Sequence, residues 1–343
     1  MTRRGEATPS SANPAELPVA LDAMGGDRAP GEIVAGARAA ADMGVPVLLV
    51  GPPDQVGDTA GLELVACTEV VSMDEDPAQG IRRKKDSSLV RCAELVRDRK
   101  ASAMVSAGNT GATMAAALLR MGRLRSVLRP CIATPMPRRG RAPAVLVDSG
   151  ANVECTPTML VQFAEMGAAF ATERYGTEDP AVAILSIGEE RSKGTALVKE
   201  TGALLDAGVR GVRFVGNVEG RDLLDCPADV VVTDGFTGNV ALKTAEGSLQ
   251  YFIHLLLEVF KLDQDTEAAA AVLMPHLASI VSELDPENTG GAMLLGVDGV
   301  CVISHGSSTA VAITNALKAA HDLAVGDLVG RLAGAVLQPG PAA

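Results

Sequence analysis

The chain has 343 residues, 47% of them apolar but only 2% aromatic, so a large core must be built from Ala, Val, Leu, Ile and Met. A formal net charge of −12 excludes a nucleic-acid binder that works through a general positive field. No run of about 18 apolar residues occurs, which excludes a membrane-spanning helix.

Residues 1–16 carry Arg3 and Arg4 with no apolar run behind them. They read as a disordered tail and not as a signal peptide, and residues 336–343 read the same way. Between them, residues 17–335 are expected to form a single α/β catalytic domain. Leu17 to Asp22 is the first expected strand, and it runs into the turn Ala23-Met24-Gly25-Gly26-Asp27. A helix over Gly31 to Met43 and a strand over Val45 to Gly51 complete a βαβ opening. The run Arg82-Arg83-Lys84-Lys85 reads as a solvated face. Leu89 to Arg99 is helical in pattern. The strand Ala103 to Ser106 then leads through Ala107-Gly108-Asn109-Thr110-Gly111 into a helix ending near Met121.

From Met114 to Val147 there are seven arginines and no acidic residue. This segregation is either a basic surface balancing acidic neighbours or a docking patch for an anionic partner. Further strands are expected over Ala144 to Asp148, Ala181 to Ile187, Val212 to Val215 and Gly299 to Ser304, each followed by a small polar turn. Thr156 and Pro157 fit a helix cap and first helical position.

The stretch Val230 to Gly247, VVVTDGFTGNVALKTAEG, concentrates the pattern. Three valines form a buried strand, Gly235, Thr237 and Gly238 a tight turn, and Asn239 caps a helix starting at Val240. Such a turn is either an ordinary βα connection or an anion site built from N–H groups and a helix N-terminus. Apolar strand, polar turn and helix recur at least six times, and in an open parallel sheet these turns gather at one carboxyl edge. No turn reads as a nucleotide P-loop or a dinucleotide fingerprint. Six scattered cysteines without a C-x-x-C pair point to reduced thiols and a cytoplasmic setting. Four histidines without zinc-ligand spacing give no metal site, and no cofactor is expected.

Residues 247–285 read as an apolar helical pair. Tyr251, Phe252, Leu255, Leu256, Val259 and Phe260 share one face of the first helix. Val272, Leu273, Leu277, Ile280, Val281 and Leu284 lie on the second, which Pro275 should kink or split. The pair is core, dimer contact or a membrane-surface element. Lys261 is its one basic residue, which weakens attachment to anionic lipid.

The motifs DAMGGD (Asp22 to Asp27), SAGNTGA (Ser106 to Ala112), DSGAN (Asp148 to Asn152), GNVEGRD (Gly216 to Asp222), VVTDGFTGNVALK (Val231 to Lys243) and SHGSS (Ser304 to Ser308) together resemble the bacterial phosphate acyltransferase family. Gly188 to Gly194 resembles that family's G-x-E-x-x-K-G. The resemblance covers about Pro18 to Leu328. Arg28 departs from the His or Asn expected after DAMGGD.

The resemblance implies transfer of a fatty acyl group from acyl carrier protein to inorganic phosphate, the first step of glycerolipid synthesis. It also implies an open, mostly parallel sheet with helices on both faces, like isopropylmalate dehydrogenase and phosphotransacetylase. A homodimer is implied too, with peripheral attachment to the membrane surface and a membrane glycerol-3-phosphate acyltransferase as downstream partner. On this reading Asn109, Lys193, Asp234, Asn239, Lys243 and His305 are the catalytic candidates. Asp22, Gly25, Gly26, Gly108, Thr110, Gly111, Thr237, Gly238 and Ser307 are expected to bind phosphate. N–H groups of Asn109-Thr110-Gly111 and Thr237-Gly238-Asn239 would hold the oxyanion and Lys193 and Lys243 the phosphate. Asp22 and Asp234 would orient lysines or backbone. His305 is either a proton donor or acceptor in the reaction or a structural histidine of its turn. Arg120, Arg123, Arg125 and Arg129 would dock the acidic carrier. The rival readings are a phosphotransacetylase using acyl-CoA, a decarboxylating dehydrogenase, and a non-catalytic scaffold for lipid enzymes.

Overall fold

A computed structural model describes residues 13–336. Of the tails expected at 1–16 and 336–343, residues 1–12 and 337–343 lie outside the described residues, whereas Pro14–Glu16 forms a 3-10 turn and Val336 is buried. In chain order the elements are β1 (Val19–Asp22), α1 (Gly31–Asp42), β2 (Val47–Gly51), α2 (Pro53–Val56), β3 (Leu64–Ala66), α3 (Pro77–Arg83) and α4 (Ser88–Arg97). Then follow β4 (Ala103–Ser106), α5 (Thr110–Arg120), β5 (Cys131–Met136), β6 (Ala144–Val147), α6 (Pro157–Tyr175), β7 (Ala181–Ser186), α7 (Ala196–Asp206) and β8 (Arg213–Glu219). The last are β9 (Val230–Val232), α8 (Gly235–Val259), α9 (Gln264–Leu284), β10 (Ala292–Leu295), β11 (Val300–Ile303), α10 (Ala310–Val325) and α11 (Leu328–Ala335).

All strands join one sheet in the order β3-β2-β1-β4-β11-β10-β5-β6-β9-β7-β8. β10 pairs antiparallel with both β11 and β5, and β5 pairs antiparallel with β6. The sheet is therefore two parallel sets that run in opposite senses, one on each side of β10 and β5. This corrects the expectation of a single carboxyl edge. Register nonetheless brings the strand ends together. One row of partners runs Leu21–Val105–Val302–Met293–Ala133–Val147–Val232. It crosses β1, β4, β11, β6 and β9 within a residue of their C-termini. The two sets are staggered past each other, so turns from both converge on the centre of the sheet.

Alternating side chains build the two faces. On one, Leu21, Val105, Val147, Val232 and Ile184 pack against residues of α1, α6, α10 and α11. On the other, α4 and α5 cover the first set, with Cys92, Ala116, Met104 and Cys301 in one cluster. α8 covers the second set through Leu242, beside Leu146 and Val231. Between α5 and α8 the central strands β5 and β10 are left as the floor of a cleft. The first set is completed only by the end of the chain. β11 inserts beside β4, Thr314 Oγ1 of α10 donates to the Gly36 carbonyl at 3.1 Å, and Ala310 N donates to Glu32 Oε2 at 2.6 Å.

Strands β3, β5 and β10 and helices α2, α3 and α7 had no distinct sequence signal. The Arg82–Lys85 run ends α3 and is not wholly solvated, since Lys84 Nζ donates to Glu75 Oε2 at 2.5 Å and to the Val70 carbonyl at 2.7 Å. α9 runs through Pro275 without a break. The apolar pair is not core: Tyr251 and Phe252 are 65% and 63% exposed, and Leu255, Val259 and Val272 are also exposed.

Candidate active site

The cleft holds a cavity of about 640 Å³. Its polar end takes Gly108 and Thr110 from the β4–α5 turn, Ser304 to Ser308 from the β11–α10 turn, Ser149 after β6, and Asn239, Lys243 and Glu246 from α8. Its other end is apolar, with Leu242, Leu249 and Ile253 of α8 facing Val281 and Leu284 of α9.

The β1 and β4 turns are locked to each other. Asp22, buried at the end of β1, accepts from Ser106 Oγ at 2.8 Å and from Met24 N at 3.2 Å. Burial pushes its carboxyl above the ordinary value, while the hydrogen bonds from Ser88, Ser106 and Met24 oppose the shift. Ser106 Oγ also accepts from Gly108 N at 3.0 Å. A Cβ on Gly25 would stand 2.7 Å from Gly108 N and 2.8 Å from Asp22 Oδ2, so only glycine lets the two turns touch. Gly26 similarly abuts the Gly306 carbonyl, to which Asp27 N donates at 2.8 Å. Asn109 is the N-cap of α5, accepting from Ala112 N at 3.0 Å and donating to the Met73 carbonyl at 2.8 Å. The N–H groups of Thr110 and Gly111 occupy the first two positions of α5, where an α-helix offers no internal acceptor.

The β9 side differs from expectation. α8 begins at Gly235, five residues earlier than the sequence suggested, and its cap is Asp234, not Asn239. Asp234 accepts from Thr237 N and from Thr237 Oγ1, both at 2.8 Å. Gly238 N donates to the Asp234 carbonyl at 2.9 Å. Thr237 and Gly238 N–H groups are thus spent inside the helix, and neither residue lines the cavity. Asp234 orients backbone, not lysine, and so does Asp22. Asn239 instead uses its side chain, donating to the Ser149 carbonyl at 3.2 Å. One turn on, Lys243 Nζ lies 2.7 Å from Glu246 Oε2 and 3.5 Å from His305 Nε2. That last contact joins residues 62 apart in sequence and the two halves of the sheet. His305 Nδ1 sits 3.0 Å from Ser307 Oγ.

Beneath α8, Asp148 is fully buried and accepts five hydrogen bonds, from the N–H groups of Ile132, Gly150, Ala151 and Asn152 and from Asn152 Nδ2. Burial still holds its carboxyl above the ordinary value. It organises the Ser149 turn, whose hydroxyl meets Thr134 Oγ1 at 2.6 Å. On the opposite wall Ser304 Oγ and Ser308 Oγ are 2.8 Å apart.

Of the expected site residues, Gly108, Thr110, Asn239, Lys243, His305 and Ser307 line the cavity. Asp22, Gly25, Gly26, Asn109, Gly111, Asp234 and Gly238 shape the turns behind or beside it. Lys193 does not line it. It is exposed on the β7–α7 turn, which Asn217 Nδ2 holds through the Gly188 and Glu190 carbonyls at 3.3 and 3.0 Å. Ser149, Ser304, Ser308 and Glu246 were missed. The serines sat inside motifs read for their glycines, and Glu246 is spaced i+3 from Lys243, a signal that was available.

The arginines divide. Arg120 is half-buried beside Glu94, with Nε 3.9 Å from Oε1. Arg123 donates to the Leu128 carbonyl and remains exposed, as do Arg125 and Arg129. Gln162 pins this loop at Ser126 and Leu128, and Asn152 Nδ2 donates to the Pro130 carbonyl at 2.8 Å. The arginine loop is therefore moored to the Asp148–Asn152 turn beneath the site.

The fold is an α/β sheet of the phosphotransacetylase architecture. A phosphotransacetylase from Streptococcus pyogenes superposes with a TM-score of 0.59 at 16% identity, covering 90% of this chain and 94% of that one. One from Staphylococcus aureus gives 0.58 at 16% identity, covering 90% and 95%. Within that architecture, the family model described as fatty acid synthesis protein matches residues 17–331. A phosphate acyltransferase from Halothermothrix orenii is 42% identical over 328 residues, covering 91% of this chain and 96% of the relative. One from Heliobacterium modesticaldum is 46% identical over 314 residues, covering 88% and 92%. The chain belongs to this fatty acid synthesis protein family, the phosphate acyltransferases, and is an acyltransferase.

Proposed function

We propose that the enzyme moves a fatty acyl group from acyl carrier protein to inorganic phosphate, releasing acyl phosphate and the free carrier thiol. The observation that carries this reading is the meeting of Lys243 and His305 at the polar end of an apolar slot. Phosphate is already an oxygen nucleophile at neutral pH, so no covalent acyl-enzyme is required. The helix N-terminus at Thr110 and Gly111 and the Lys243 ammonium suit a phosphate dianion held beside the thioester carbonyl. Attack forms the C–O bond, and collapse of the oxyanion breaks the C–S bond. The proton of hydrogen phosphate passes to the departing sulfur, with His305 placed to relay it. Asn239 and the Ser304–Ser308 turn supply donors near the developing oxyanion.

The exposed Arg123, Arg125 and Arg129 give an otherwise acidic chain a local positive surface for an acidic carrier. The exposed apolar faces of α8 and α9 suit a second copy of the chain and the membrane surface, where acyl phosphate would pass to a membrane glycerol-3-phosphate acyltransferase. Among the described residues no helix is long and apolar enough to cross a membrane, so contact would be peripheral.

The test is release of carrier thiol from palmitoyl carrier protein with and without phosphate, with palmitoyl-CoA alongside. Phosphate-dependent release from the carrier supports the proposal. Release from CoA alone moves the chain to phosphotransacetylase chemistry, and release from neither removes the enzymatic reading of this site.

A further inference from the structure

The apolar end of the cavity has a direction and a length. Leu242, Ala245, Leu249 and Ile253 fall at i, i+3, i+7 and i+11 of α8, an apolar stripe turned into the cavity beside Glu246 and Gln250 of the same helix. α9 returns beside α8 and supplies Val281 and Leu284, while Leu224 contributes to the cavity lining from the 3-10 turn Gly220–Asp225 after β8. Outward of Ile253 no α8 side chain lines the cavity. There the helix presents exposed groups, including His254 and Glu258, paired at 3.3 Å. The slot therefore starts at Lys243, beside His305, and stops at Ile253.

We infer that this α8 face is a ruler that sets the acyl chain length of the donor. The inference rests on the acyl-transfer reading of the same site. Ten residues separate Lys243 from Ile253, which at ~1.5 Å rise per residue is a slot of roughly 15 Å. A fully extended alkyl chain gains about 1.25 Å per C–C bond, so the slot shelters an acyl chain of about twelve carbons. Each methylene added inside it is worth about a fourfold gain in kcat/KM from burial alone. Carbons beyond Ile253 gain nothing from the slot.

The experiment follows kcat/KM for phosphate-dependent thiol release across carrier-bound donors from hexanoyl to hexadecanoyl. In the native enzyme the efficiency climbs with length and then breaks to a plateau at about twelve carbons. Ile253→Trp fills the outer end and moves the break to shorter chains. Leu249→Trp lies only six residues beyond Lys243, roughly 9 Å, and moves it further, to about seven carbons. The readout is the position of the break, which a loss of folded enzyme would not shift, and the two variants must rank in order along the helix. A break that stays in place in both variants, or that moves more in Ile253→Trp than in Leu249→Trp, overturns the ruler while leaving acyl transfer intact. Absence of phosphate-dependent release from every donor overturns the functional reading itself.

Discussion

Gly238→Ala should disable the enzyme without touching any group that meets substrate. A methyl built on Gly238 falls well inside contact distance of the Asp148 carbonyl oxygen and 3.0 Å from Thr233 Cγ2. The oxygen belongs to backbone held by the Asp148 network, so it cannot rotate aside, and the first turn of α8 must lift. A shift on the order of 1 Å carries Asn239 and Lys243 with it, and misplacement of that size costs about 100-fold in kcat/KM. Overpacking costs about 1–3 kcal/mol, offset by roughly 0.5–1 kcal/mol from replacing a mid-helix glycine. The control is Gly247→Ala on the same helix, where a Cβ meets nothing within 4 Å. It should gain about 0.5–1 kcal/mol and keep native activity. Thiol release and urea unfolding read both quantities. If Gly238→Ala matches Gly247→Ala in both, α8 is not seated on the Asp148 turn as described and the reasoning fails.

Lys243→Met should lower kcat/KM for phosphate by about 10- to 100-fold, the worth of one charge-assisted hydrogen bond, whereas Lys193→Met should change it far less. Equal effects of the two would place Lys193 at the site after all. Charge reversal at Arg123 and Arg125 should raise KM for the carrier-bound donor about tenfold while sparing a small acyl thioester, and parallel loss with both donors would remove the docking role. Phe252→Glu with Leu255→Glu should abolish pelleting with phospholipid vesicles; a doubly substituted protein that still pellets would move the contact elsewhere. Asp22 gives a pH test. Its folded carboxyl titrates above the unfolded value of 3.8, so its protonated form is favoured by folding. Its ionisation therefore removes stability as pH rises from below that value through the folded one. The stability of native enzyme relative to Asp22→Asn should fall across that window in urea titrations, and a constant or growing gap would contradict the burial argument.

Much of the fold is legible in apolar strands followed by small polar turns, because β1, β4, β6, β7, β9 and β11 are each buried in a parallel set. β5 and β10 were not read because they are antiparallel and flanked by arginine and proline in the one case and by glycine in the other, not by the polar turn and helix of a βα unit. With them went the reversal of the sheet. A place on the cavity wall was legible for Lys243 and His305, whereas Asn109, expected in catalysis, is the cap of α5 and does not line the cavity. The site was misread where local pattern competed with capping: Asp234 and Asn239 are both good caps, and it is Asp234 that accepts from the Thr237 N–H. The placing of Lys193 depends on which way the β7–α7 turn folds, which no local pattern encodes.

The insertion of β11 beside β4, and of α10 against α1, has a consequence during synthesis. A ribosome that has finished α9 has made Lys243, Glu246, Asn239 and the whole Asp148 turn, yet β4 still lacks the neighbour that occupies its free edge. His305 and the serines around it follow α9 and β10 in the chain, and the first set of strands closes only when β11 and α10 are in place. A chain stopped after α9 therefore lacks both the β10 strand from the floor of the cleft and the His305 turn from its wall.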